Sequence, residues 1–291
     1  MGLRINQNIA AMNAYRNLSI NSDAMSSSLE KLSSGFRINR AADDPAGLSI
    51  SEGLRAQTGG LKVAVRNAQD AVGVIQTAEG ALTETHAILQ RMRDLSVQAS
   101  NGGSQDSDAQ AAANTEFGQL QTEIDRIANT TSFGNQKLLD GSYNGTFQVG
   151  ADNTASNQIN VDMSTATLTT TLASTGNTGL TSAGLGVDAA SADLSSTANA
   201  QAAITKVDAA IKSVSTVRAT LGAYQNRFEH TINNINVAVE NLSASESRIR
   251  DTDMAQEMVN MTRSNILSQA GQSMLSQANS APQQVLQLLR G

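Results

Sequence analysis

The side chains able to carry proton transfer, nucleophilic attack or metal binding are few in this sequence, and their spacing is poor. There is no Cys, which removes thiolate catalysis, disulfides and thiolate-held metals. Two histidines, His86 and His230, are too few and too far apart for a His-built metal site or a nucleophile–His–carboxylate triad. They read as packing or surface residues. Asp43 and Asp44 form an adjacent carboxylate pair that could do acid–base work. Standing directly before Pro45, they are better explained as caps of a starting helix. Asp251 and Asp253 resemble the opening of a Ca²⁺ loop, but its Gly and terminal Glu are missing at the required spacing. No HExxH zinc motif occurs. Asn129-Thr130-Thr131 and Asn144-Gly145-Thr146 fit the N-glycosylation acceptor pattern and are read as chance. The expectation is therefore no catalytic residue, no cofactor and no metal.

Composition agrees. The 291 residues carry 20 basic and 26 acidic side chains, a net charge of −6 that argues against nucleic-acid binding. Aromatics are 3% and Trp is absent, so any core must use aliphatic and Ala packing. Two prolines, Pro45 and Pro282, leave room for long helices. Met1 to Gln7 lacks the apolar centre of a secretory leader, and no apolar run reaches the roughly 18 residues of a membrane span.

The positioning elements follow from hydrophobic periodicity. Ile5, Ile9, Met12, Leu18, Met25, Leu29, Leu32 and Phe36 recur mostly at three, four and seven, predicting an amphipathic helix that stops near Gly35. A second helix starts at Pro45 and runs to about Ala99, on the order of 80 Å at ~1.5 Å per residue. Its seam reads Leu54, Leu61, Val65, Ala68, Val72, Ile75, Leu82 and Leu89, with Glu79 and His86 at two further seam positions. Glu79 and Glu246 could specify register or simply lie half-exposed at a boundary. Ser100 to Asp108 is a loop by composition, followed by a shorter helix near 109–129. From Thr130 the pattern changes. Asp140-Gly141 and Asn144-Gly145 read as turns, and Phe147/Val149 and Ile159/Val161/Met163 alternate as strands. Residues 151–195, rich in Ser and Thr and without Lys or Arg, are expected to be an irregular exposed insert. Ile204 to Ile249 carries a sustained three-four stripe, and an amphipathic, nearly uncharged segment runs from Met254 to the end.

The fold class expected is mainly α: long antiparallel helices at 45–99 and 204–250 in a coiled-coil-like rod, with a small β-hairpin region in mid-chain. Two such stripes exceed what one partner helix covers, so an ordinary closed bundle is the weaker reading. The weakly charged terminal segments would expose apolar surface in a lone molecule. Ordering coupled to assembly resolves this, and a head-to-tail contact that does not close makes a helical filament. The apolar residues at the two ends expected to carry that contact are Ile5, Ile9 and Met12, with Met274, Leu275, Val285, Leu286, Leu288 and Leu289.

Several of these stretches closely resemble bacterial flagellins: LRINQNIAAMNAYRNL, LEKLSSGFRINRAADDPAGLSIS, NAQDAVGVIQTAEGAL and LQRMRDLSVQAS in the first half, and RIRDTDMAQEMVNMTRSNILSQAGQSMLSQANSAPQQVLQLLR at the end. The resemblance covers nearly all of 1–140 and 200–291 and implies a structural, non-enzymatic subunit of the filament used for swimming. It implies an inner-shell polymerisation domain from 1–44 plus 252–291, an outer-shell helical domain from 45–150 plus 196–251, and a variable surface insert at 151–195. It also implies export without a cleaved leader by the flagellar type III apparatus, and an extracellular filament as the final location. The partners implied are identical copies of the chain, an export chaperone, a filament cap and hook-junction proteins, with no nucleic acid and no membrane insertion. By the same resemblance, Gln90, Arg91, Leu95 and Glu116 match the patch read by the vertebrate Toll-like receptor for flagellin, while Met92 and Asp94 depart conservatively from it. A hook–filament junction protein and an adhesin or immune-receptor ligand stand as alternatives, and the Ser/Thr-rich middle could carry O-linked sugars.

Overall fold

A computed structural model of the chain describes residues 8–103, 106–163 and 179–290, with 282–290 as backbone. Among these residues there are five α-helices: α1 (Ile9–Ser34), α2 (Pro45–Ala99), α3 (Ser107–Thr130), α4 (Thr197–Arg250) and α5 (Met254–Arg290). Four short strands, β1 (Ser132–Phe133), β2 (Gln136–Lys137), β3 (Asn144–Gln148) and β4 (Gln158–Asp162), lie between α3 and α4. The mainly α fold, with long helices packed together and hairpins in mid-chain, is the one expected.

The helix ends have local causes. Gly35 adopts φ 74°, a left-handed conformation that costs glycine little, and its N–H closes on the Lys31 carbonyl at 2.9 Å. Asp44 Oδ1 accepts from the Gly47 N–H at 2.9 Å, so Asp44 caps α2 and Pro45 is its first residue. Asp43 instead closes the preceding turn, accepting from the Arg40 and Asn39 N–H groups. Those bonds hold its carboxyl below the usual aspartate range. The turn is thus favoured above the ordinary aspartate pKa and loses that contribution as pH falls through the lowered one.

The chain divides into two compact units, Met1–Gln57 with Glu240–Gly291, and Thr58–Val239. In the second unit α2 and α4 are antiparallel: Arg93 pairs with Asp208 at 2.7 Å and Glu79 with Arg218 at 3.7 Å, one number rising as the other falls. Two heptad columns of α2 are buried. One is Ala68, Ile75, Leu82 and Leu89, as expected; the other is Ala64, Ala71, Ala78, Thr85, Met92 and Ala99. The expected second column, Val65, Val72, Glu79 and His86, is half-buried at the flank. The seam is therefore rotated by one position toward Ala, because small side chains let the helix axes approach and the larger β-branched ones are pushed to the rim. Glu79 is a half-exposed flank residue, and His230 is exposed. On α4, Val207, Val214, Leu221, Phe228 and Ile235 recur every seven residues, all buried. That helix begins at Thr197, seven residues before the first large apolar residue of the stripe, and its extra turns are buried through Ala200 and Ala203.

The hairpin region differs from expectation in one turn. Asn144 and Gly145 begin β3, pairing with Asp162 and Val161 of β4. A Cβ on Gly145 would collide with the Tyr143 ring, so this glycine serves close approach rather than a turn. The turns sit at Gly141, φ 84°, and at Gly134, φ 58°, between β1 and β2. The segment 151–195 is also not wholly an exposed insert. Ile159, Val161 and Met163 are buried, as are Leu180, Leu185, Val187, Ala192 and Leu194. Side chains of α3 hold it down: Asp125 accepts from the Ser182 N–H at 2.7 Å, and Gln121 donates to the carbonyls of Val187 and Ala192.

Candidate functional site

Unit Met1–Gln57 with Glu240–Gly291 carries apolar residues on both sides of its terminal helices, and only one side is covered. Helices α1 and α5 are antiparallel: Asn8 bonds to Ala278, Leu18 lies beside Gly271, and Ser28 donates to Glu257 at 2.6 Å. The half-buried face of α1 turned toward α5 runs through Ala11, Ala14, Leu18, Asn21, Met25, Ser28 and Leu32, and that of α5 through Glu257, Met261, Ser264, Ser268, Gly271, Leu275 and Ala278. These residues are mostly small or polar. A second set of large apolar side chains points the other way: Met12 is 68% exposed, Ile266 61% and Met274 66%, and Ile9, Tyr15, Ile20, Met258 and Val259 are exposed too. An open groove of about 490 Å³ runs between Met258, Val259, Thr262, Arg263, Ile266 and Leu267.

Of the residues expected to carry assembly, Ile9, Met12 and Met274 lie on this outward surface and Leu275 is half-buried on the inner one. Ile5 and the side chains of Val285, Leu286, Leu288 and Leu289 lie outside the described residues. Tyr15, Ile20 and Val259 were missed. Their offset from the main stripe is the signal that a second apolar face exists.

At the junction of this unit, the backbone of Arg37 donates to the Arg250 carbonyl at 2.6 Å, and the Thr252 N–H donates to Gly35 at 3.0 Å. The Arg250 guanidinium stacks 4.9 Å from the Phe36 ring centroid and reaches Glu52 at 2.6 Å. A cation held between a ring face and a carboxylate fixes the ends of α1, α2 and α4 together.

The second candidate patch lies in unit Thr58–Val239. Arg91 on α2 pairs with Glu116 on α3 at 2.7 Å, both substantially exposed. Gln90, also exposed, donates its amide to the His86 ring at 3.1 Å. Leu95 is only 2% exposed and belongs to the core below. The structure thus brings Gln90, Arg91 and Glu116 to one surface and withdraws Leu95, because its position on α2 falls next to the buried Met92 and Ser96. Among the described residues no group of three His, Asp or Glu could hold a metal ion, and no helix is long and apolar enough to cross a membrane.

Two family models match the chain: the bacterial flagellin N-terminal helical region over residues 5–144, and the bacterial flagellin C-terminal helical region over 204–289. A flagellin of Halalkalibacterium halodurans is 53% identical over 98% of this chain and 99% of its own length. A flagellin of Bacillus subtilis is 51% identical over 99% of this chain and 100% of its own. Among solved structures, a putative flagellar hook-associated protein from Vibrio parahaemolyticus superposes with a TM-score of 0.58 at 14% identity, over 72% of this chain and 100% of that one, which shows the fold alone.

Proposed function

This chain belongs to the bacterial flagellin family, whose members are structural subunits of the flagellar filament and not enzymes, and we propose that it polymerises through 1–44 and 252–291 as the filament's inner wall. In this reading 45–150 and 196–251 build the outer helical wall, with part of 151–195 facing outward. The observation that carries it is the second, uncovered apolar face of α1 and α5. A helix pair that already covers one face and still turns Met12, Ile266 and Met274 to water has an apolar face left for another molecule. Identical copies supply complementary faces, and a repeated non-closing contact makes a filament.

Ile266 provides the test. It is already exposed in the single subunit, so Ile266→Asp should leave the thermal unfolding of the monomer unchanged. In the filament the same carboxylate would be buried without a partner, at a cost of several kcal/mol. The critical concentration for elongation on filament seeds should rise by more than about a hundredfold. Normal elongation of this variant would refute assembly through the outer face of α5.

Export by the flagellar type III apparatus without a cleaved leader, a chaperone on the C-terminal segment, and contacts with cap and hook-junction proteins are further parts of this reading, supported by family membership. The same support extends to an extracellular place in the filament. A second reading concerns the receptor patch. The exposed Arg91–Glu116 pair beside Gln90 supports recognition of the unassembled subunit by the Toll-like receptor for flagellin. Exposed ion pairs add little to stability. Arg91→Ala should therefore leave the melting temperature of the monomer almost unchanged while abolishing monomer-driven receptor signalling in a reporter cell. Unaltered signalling would remove Arg91 from the patch.

A further inference from the structure

Pro282 lies within α5, where a proline has no N–H to give to the carbonyl four residues before it. That carbonyl belongs to Ala278. It accepts instead from the side-chain amide of Asn8, whose Nδ2 lies 2.7 Å away. The Oδ1 of the same amide accepts from the Ala11 N–H at 3.0 Å and so caps α1. The orientation of this amide is settled by its neighbours, since an N–H on one side requires the oxygen and a carbonyl on the other requires the nitrogen. One side chain thereby closes the open N-terminus of α1 and the gap that proline makes in α5.

The location gives this bond a consequence beyond capping. The seam between α1 and α5 is built from Ala, Ser, Gly and a few larger residues, and Gly271 allows Leu18 close against the helix backbone. The large residues in it, among them Leu18, Met25 and Leu275, are only half-buried and alternate with small ones, so packing alone resists slippage by a turn weakly. Polar pins set register where packing does not. Ser28 to Glu257 is the pin at one end, and Asn8 to Ala278 is the pin at the other.

We propose that Asn8 is a positioning residue for assembly: by donating to the carbonyl that Pro282 leaves open, it fixes the register of the two terminal helices, and with it the outward apolar face that a neighbouring copy must meet. This rests on the assembly reading above.

The test uses the full-length chain and elongation on filament seeds. Asn8→Asp keeps the capping oxygen for Ala11, and Asp is as good a helix cap as Asn. It loses the donor and sets a carboxylate against the Ala278 carbonyl. A residue that only capped α1 would tolerate this change. The expected result is a critical concentration raised by about tenfold or more. Pro282→Ala restores the backbone donor to Ala278, so Asn8→Asp in that background should change the critical concentration by no more than about twofold. Elongation of Asn8→Asp at the parent's critical concentration, or an equal loss in both backgrounds, would overturn the proposal. Should Pro282→Ala alone stop elongation, the comparison of Asn8→Asp with the parent decides. A parent chain that never elongates would instead bring down the assembly reading, a result distinct from either.

Discussion

A chain ended after Asp251 is expected to form no filaments at any concentration, while its unit Thr58–Val239 unfolds as it does in the full-length protein. The truncation removes α5 entirely. Helix α1 then loses the partner that covers Ala11, Ala14, Leu18 and Met25, and keeps only its outward residues. A lone helix of 26 residues with many Ser and Asn positions is marginal in water, so α1 should fray as well. Both outward apolar faces vanish together, one by deletion and one by loss of order. None of the buried residues of the other unit is touched, because that core runs from Ala64 to Ile235. Electron microscopy of full-length and truncated protein under identical conditions gives the first readout, and thermal unfolding followed by circular dichroism gives the second. Filaments from the truncated chain would place polymerisation elsewhere than in the terminal helices. A large fall in the main unfolding transition would show that the two units are not separately stable.

Phe228→Ala should produce the largest loss from a single core position. Phe228 is fully buried on α4, and its ring meets Phe147 of β3 edge-on, with centroids 5.7 Å apart and planes at 85°. Aromatics are scarce in this chain, so the pair joins hairpin to helix with packing that nearby alanines cannot replace. Removing a buried Phe costs about 3–5 kcal/mol. Phe228→Leu, which retains most of the volume, should cost less than about 1.5 kcal/mol if the site can repack. Urea unfolding of the monomer separates the two variants. Hydrogen exchange should localise the damage, with faster exchange at Phe147 and Ile159, which face each other in the ladder between β3 and β4. A loss below 1 kcal/mol would mean that neighbouring side chains close the cavity and that the ring does not anchor the hairpin.

The outward apolar surfaces and the seams differ in how far they could be read from residue order. Pro45 preceded by Asp44, the glycine at 35 and the Asp at 253 are local devices, and the helix bounds they set were legible for that reason. Every seventh residue from Ala68 to Leu89 is buried, so the main heptad was legible too. Its companion column was not, because Ala64, Ala71 and Ala78 carry too little apolar surface to stand out beside Val65 and Val72. The early start of α4 was hidden for the same reason. Asn144-Gly145 has the composition of a turn, yet strand pairing and the Tyr143 ring claim it. Leu95 matches a surface motif in type, but its angular position on α2 turns it inward.

Residue order by itself determined the helical class, the capped helix ends, the absence of a catalytic constellation and the flagellin kinship, because caps, heptads and long motifs are local and additive along the chain. Tertiary structure decided where within each apolar stripe the seam lies, and which apolar faces stay uncovered. That choice depends on how closely two backbones can approach, and small residues, nearly silent in a hydrophobicity pattern, control that distance. In the terminal helices it leaves Met12, Ile266 and Met274 outside while Leu18, Met25 and Leu275 are covered together with alanine and serine.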